Sequence, residues 1–162
     1  METYGIFKNM ASDNHYVAFS KCLSSAHCTS KTLATIKRIT KNVIKYAHMG
    51  QLVINDGICY ATFIQNPGDD GEGHDSVTSG IVLAIFSIET YSLASFDAEK
   101  DIEFYSIGSK GDVCDGYEAC TIYKDNSMRL VGEKLHICFS FAAADGLSHI
   151  FRKTFNIKKG SG

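Results

Sequence analysis

Gln51–Ile64, QLVINDGICYATFI, and Met128–Phe141, MRLVGEKLHICFSF, read as two versions of one unit: a strand, a tight turn and a second strand. Asn55-Asp56-Gly57 between Ile54 and Ile58 is a strong signal for a two-residue hairpin turn, and Gly132-Glu133-Lys134 holds the matching place. A third apolar run follows each hairpin, IVLAIFSI at 81–88 and IFRKTFNI at 150–157. Across the hairpins a register of 77 pairs Val53 with Leu130, Ile58 with Leu135, Tyr60 with Ile137 and Ile64 with Phe141. For the third strand the register falls to 69, pairing Ile81 with Ile150, Phe86 with Phe155 and Ile88 with Ile157. The change comes from one loop, long at Gln65–Gly80 and short at Ala142–His149, as in repeats that share a core and vary at one connection.

The central strands are apolar on both sides. Ile58, Tyr60 and Ile64 point one way and Cys59, Ala61 and Phe63 the other, while Leu135, Ile137 and Phe139 oppose Cys138. A sheet with one wet face alternates apolar and polar residues, so both faces here are expected to be covered. Asp101–Gly108 reads as an outer strand between the units and Ala119–Lys124 as an inner strand opening the second. The division expected is 1–49 as an N-terminal segment, 50–113 as the first β repeat, 114–158 as the second and 159–162 as a linker-like tail.

Within the N-terminal segment, Tyr16–Phe19 reads as a short strand and 24–30 as a small polar loop. Residues 31–48 place Leu33, Ile36, Ile39, Val43, Ile44, Tyr46 and Ala47 in one sector at helical spacing, with Lys31, Lys37, Arg38, Lys41, Lys45 and His48 opposite. This predicts an amphipathic helix, capped by Ser30 and ended by Gly50, with a solvated basic face. The fold expected is mainly β with that one helix: two propeller-like antiparallel blades, completed by further blades or by other copies of the chain. The alternative is an α+β domain.

The 162 residues are 44% hydrophobic and 21% charged with a formal net charge of −2, so bulk charge points to neither nucleic acid nor membrane as partner. No apolar run has signal-peptide or membrane-span length, and the default location is cytoplasmic. Six cysteines, at 22, 28, 59, 114, 120 and 138, match no zinc knuckle and read as free thiols, with Cys59 and Cys138 as small buried hydrophobes.

The repeat resembles the blades of sialidase-type (BNR-like) β-propellers. The resemblance rests on the turn Asp56-Gly57-Ile58-Cys59-Tyr60 and the phrase Phe86-Ser87-Ile88-Glu89-Thr90, and spans about residues 46–157. It implies stacked blades, either continued in a longer chain or shared between chains, and a carbohydrate-directed role. The Asp-box turn and the arginine triad of that family are absent; Arg38, Arg129 and Arg152 are the only arginines.

The candidate site is the loop 66–76, NPGDDGEGHDS. Asp69, Asp70, Glu72 and Asp75 could hold Ca²⁺ through hard oxygens, although the order is not that of an EF-hand; no other cofactor is expected. Asp70, His74 and Asp75 with Tyr105 and Tyr117 form a candidate ligand-binding set, the tyrosines as a platform for a sugar ring. No nucleophile elbow or phosphate-binding glycine loop is present, and no catalytic residue is assigned. A non-catalytic binding or structural module in a larger or oligomeric assembly is expected, with a glycan as possible ligand. The alternatives are a glycoside hydrolase-like fragment using the loop carboxylates and a small α+β protein–protein interaction domain.

Overall fold

The computed structural model describes residues 3–11, 14–22, 37–41, 46–66, 80–109, 120–143 and 147–157. The protein is mainly β. Ten strands are described: β1 (Thr3–Ala11), β2 (Asn14–Cys22), β3 (Lys37–Arg38), β4 (Tyr46–Asn55), β5 (Ile58–Asn66), β6 (Gly80–Ser87), β7 (Glu103–Ser109), β8 (Cys120–Val131), β9 (Lys134–Ala143) and β10 (Ser148–Asn156). Two short helices, α1 (Ile88–Ser92) and α2 (Ala98–Asp101), lie between β6 and β7.

The seven strands β1 to β7 form one sheet in the order β1-β2-β4-β5-β6-β7, with β3 beside β2; β10-β9-β8 form a second. All pairings are antiparallel except the contact of β2 with β4. Both hairpin turns form where the sequence indicates. Asp56 and Gly57 have φ of 48° and 72°, both positive as a type I′ turn requires. In the second turn Gly132 has φ 59° and Glu133 a negative φ, the sign pattern of type II′. Each three-stranded meander is then closed by the same bond: the amide of Ile88 donates to the Gly57 carbonyl at 2.9 Å, and that of Ile157 to the Glu133 carbonyl at 3.0 Å.

The two meanders thus share a topology, but residue-by-residue equivalence holds only in part. The hairpin register of 77 does match inward residues: Tyr60 and Ile137 are both fully buried between the sheets. The third-strand register of 69 does not, because Phe86 faces away from the sandwich while Phe155 faces into it. Both turns have two residues, but they stand one position out of the expected register, since Asn55 pairs Ile58 and Val131 pairs Lys134.

The sheets pack face to face. Tyr60, Ile64, Ile81, Leu83, Ile85 and Ile107 from the large sheet meet Leu135, Ile137 and Phe139 from the small one. Within this layer Thr62 donates its hydroxyl to Asn126 Oδ1 at 2.8 Å, pairing two buried polar groups. The other face of β5 and β6 carries Cys59, Ala61, Phe63, Val82, Ala84 and Phe86, buried under Ile39, Tyr91, Ile102 and Phe96. The large sheet is therefore covered on both sides, as its apolar pattern demands.

Two expectations are corrected. First, Lys37–Arg38 is a strand paired with Ala18–Phe19, Ile39–Lys41 is irregular, and Tyr46–His48 opens β4, so the 31–48 segment is not a helix where it is described. Propensity outweighs spacing here: the segment is rich in Ile, Thr and Val, which suit a pleated surface. Second, the small sheet is apolar on one side only. Leu135, Ile137 and Phe139 face the core, and His136, Cys138 and Ser140 are half-buried on the outer side. Within the stretch 119–124, residues 120–124 belong to one twelve-residue strand, β8, which carries an irregularity: the three residues between Ile122 and Asn126 lie opposite the single residue between Phe141 and Phe139.

At the bulge between β6 and β7, Gly108 lies against the second sheet; a Cβ there would stand 2.6 Å from Phe139 Cζ. Gly108→Ala is expected to destabilise the fold by about 1–3 kcal/mol, the range for overpacking a tight core. Urea unfolding checks this, and Phe139→Leu in the same chain should recover part of the loss.

Candidate functional site

Of the residues singled out above, Asp69, Asp70, Glu72, His74, Asp75 and Tyr117 lie outside the described residues. Tyr105 is described. Its ring packs at 5.1 Å from that of Phe155 between the two sheets, and its hydroxyl donates to Glu103 Oε2 at 2.7 Å. The Tyr105 ring thus packs at the sandwich while the residue stays half-buried. Among the described residues no group of three or more His, Cys, Asp or Glu is placed to hold a metal ion. No described helix is long and apolar enough to cross a membrane. Cys59 is a buried free thiol, as expected; Cys138 is free too, but half-buried on the open face of the small sheet.

The outer face of the large sheet is closed by a cover that its own sequence builds. Ser87 caps α1, its hydroxyl accepting from the Thr90 amide at 2.9 Å. Asp97 caps α2 by accepting from the Glu99 amide, which holds its carboxyl below the usual range. Between the helices Tyr91 and Phe96 meet edge to face at 5.0 Å, and both lie within 6.4 Å of Phe86. Lys37 fastens this cover. Its ammonium donates to the carbonyls of Tyr91 and Leu93 at 2.5 and 2.6 Å and lies 5.1 and 5.4 Å from the Tyr91 and Phe96 ring centres. Its backbone amide donates to the Tyr91 hydroxyl at 3.0 Å. Lys37, expected on a solvated basic face, is a structural clamp.

The outer face of the small sheet has no such cover among the described residues. Register alternation places on it Ser127, Arg129 and Val131 of β8, Lys134, His136, Cys138 and Ser140 of β9, and Ile150, Arg152, Thr154 and Asn156 of β10. Arg129 stands opposite His136, and Arg152 opposite Cys138. Arg129, Lys134 and Arg152 are exposed, and none of these eleven residues is a carboxylate. Among the described residues none of the three cations makes an ion pair. Neighbouring rungs lie about 7 Å apart along a strand, close to the screening length at physiological salt. Their fields therefore add, and the face is an anion-attracting surface on a chain of slightly negative net charge.

One end of this face opens into a cleft of about 330 Å³ lined by Asn126, Ser127, Cys138, Phe139, Ser140 and Ile150. The cleft forms where β8 carries its extra residues, so that Asn126 can turn inward to Thr62 while Ser127 turns outward. Its lining offers an amide, two hydroxyls and an apolar wall. Among these lining residues there is no nucleophile–base pair and no pair of carboxylates. The polar alternation His136-Ile137-Cys138-Phe139-Ser140 is the sequence signal for this face. Comparison with protein-family models, with curated proteins and with solved structures finds no match for this chain.

Burial pushes the Cys59 thiol up to about 12 and is also the largest cause that raises the Tyr91 phenol to about 12, with Lys37 amide donation working against it. Their ordinary values are 9.0 and 10.0, so the folded chain keeps both protons at a pH where the unfolded chain has lost them. This contribution to stability is whole below pH 9 and is lost as pH rises towards 12. Stability from urea unfolding should fall across that window, and Cys59→Ala should flatten the fall by up to about 1.4 kcal/mol per pH unit. Equal slopes for the two chains would show that the thiol is not held neutral by burial.

Proposed function

We propose that this chain is a non-catalytic binding module whose recognition surface is the outer face of the small sheet, with its adjoining cleft, directed at an anionic partner. The observation that carries the reading is the difference between the two outer faces. One is sealed by Tyr91, Phe96 and the Lys37 clamp; the other is open, holds three exposed cations without a carboxylate, and ends in a cleft. The cleft lining of Asn126, Ser127 and Ser140 beside Ile150 also suits a hydroxylated ligand, which keeps a glycan bearing carboxylate or sulfate among the ligands to test.

The reading of the two meanders as neighbouring propeller blades draws support from their shared closing bond and face-to-face packing. A seven-stranded sheet exceeds the four strands of a blade, however, and favours a self-contained sandwich. Light scattering is therefore expected to report a monomer, and a ring-sized oligomer would restore the blade reading. An array of neutral, sialylated and sulfated glycans with acidic and basic peptides tests recognition. Acidic members should bind, and Arg129→Glu with Arg152→Glu should abolish the signal at unchanged thermal stability. Absence of any binder, or indifference of binding to the double substitution, would overturn the reading.

A further inference from the structure

The pairing registers fix the outer face of the small sheet as a grid. Along β9, His136, Cys138 and Ser140 follow one another on this face. Arg129 of β8 and Thr154 of β10 flank His136, Ser127 and Arg152 flank Cys138, and Ile150 stands beside Ser140. Rungs of one face lie about 7 Å apart and strands about 4.8 Å apart, so Arg129 and Arg152 stand on a diagonal of about 12 Å across β9. Two extended arginine side chains can close that span around a single anion held over His136 and Cys138. Among the described residues neither arginine is paired with a carboxylate. The cleft opens beside this position, on the same face, with Ser127, Ser140 and Ile150 in its lining. A charge-binding position and a concave pocket are therefore neighbours, about one rung apart.

We propose that this face binds a phosphomonoester of a small polyol, its phosphate between Arg129 and Arg152 and its hydroxylated group in the cleft; the assignment deepens the binding-module reading above and rests on it. The number of acceptor oxygens selects phosphate over carboxylate. One guanidinium fork in bidentate geometry uses both oxygens of a carboxylate, whereas a phosphomonoester presents three oxygens and so serves two forks at once. Its charge of about −1.5 to −2 at pH 7 also suits a face of three cations without a carboxylate, where Lys134 adds to the field one rung beyond His136. The cleft sets the size of the attached group. Its volume of about 330 Å³ is at the low end of small-molecule sites, roughly 300–1,000 Å³, and takes a compact group. The hydroxyls of Ser127 and Ser140 match those of a polyol, while Phe139 and Ile150 meet its carbon side. Asn126, whose Oδ1 accepts from Thr62, gives the pocket a wall fixed to the core. Ile150, 78% exposed, gains the apolar contact that the empty face does not provide.

The test is isothermal titration calorimetry on the whole chain. The probes are glucose, ribose and glycerol phosphorylated at a primary hydroxyl, glucose sulfated there, glucuronate, glucose and inorganic phosphate. At least one phosphate ester should bind, with sulfated glucose, glucuronate and inorganic phosphate each at least tenfold weaker and glucose silent. Arg129→Gln and Arg152→Gln should each weaken that ester at least tenfold at unchanged melting temperature. Ser140→Leu, which fills the cleft, should bring the ester down to the affinity of inorganic phosphate, a loss of preference that misfolding cannot mimic. Inorganic phosphate binding as tightly as the best ester would remove the cleft from the site and overturn the assignment. Glucuronate or sulfated glucose binding as tightly as the best ester would overturn the choice of phosphate. Binding of an acidic peptide or an anionic glycan, with silence of all three phosphate esters, would overturn the assignment and leave the open face as a binding surface. Silence of every anionic probe would overturn both.

Discussion

Strands β5 and β6 have no polar side, and the architecture follows from that constraint. Tyr60, Ile64, Leu83 and Ile85 project from one face and Phe63, Val82 and Phe86 from the other, all buried. Burying a large apolar side chain stabilises the folded chain by roughly 1.5–3 kcal/mol, so a sheet covered on one side only would forfeit several such contributions at once. Two different covers meet the need. The small sheet supplies Leu135, Ile137 and Phe139 on one side; the α1–α2 connection, with Ile39, supplies the other. The small residues Cys59, Ala61 and Ala84 let the thin helical cover approach the sheet closely, whereas the bulkier side meets a whole sheet.

Polar groups set the register within this apolar frame. An unpaired hydroxyl or amide between two sheets costs about 1–3 kcal/mol, and the bond from Thr62 to Asn126 removes that cost at one relative position of β5 and β8. It also anchors the irregular part of β8, since Asn126 is the residue at which normal pairing with β9 resumes. The core bond and the outer cleft are two sides of one local distortion. On the other flank Lys37 does equivalent service, tying a two-residue strand to the carbonyls that end α1.

Much of the β framework was legible because turn chemistry is local. Asp56-Gly57 and Gly132 take the left-handed conformations that their types suggest, and the apolar runs beside them become β5, β6, β9 and β10. The strand at Glu103–Ser109 was also readable from its pattern. The helix expected at 31–48 was not there where the chain is described, because apolar residues at helical spacing also fit a β-branched segment whose strand partner, β2, lies far away in sequence. The strand expected at 81–88 ends one residue earlier, because Ser87 caps α1 and Ile88 opens it, and Asp101, expected to open a strand, ends α2. The basic face escaped notice for a different reason: Arg129, Lys134 and Arg152 come from three strands, and only the pairing register gathers them.

The unequal treatment of the two outer faces is itself informative. Phe86, Phe96 and Tyr91 need shelter from water, and the chain between β6 and β7 is spent on giving it. Ser127, His136, Ser140 and Thr154 need none, so the small sheet can stand open without a thermodynamic penalty from exposed apolar area. Val131 and Ile150 are exceptions, aliphatic side chains held in solvent, Ile150 at the rim of a cleft. Edge lysines and arginines are a common guard against unwanted strand pairing, and Arg152 and Lys153 are two exposed charges of that kind on β10. The guard is selective, since charge that repels a basic edge attracts an acidic one.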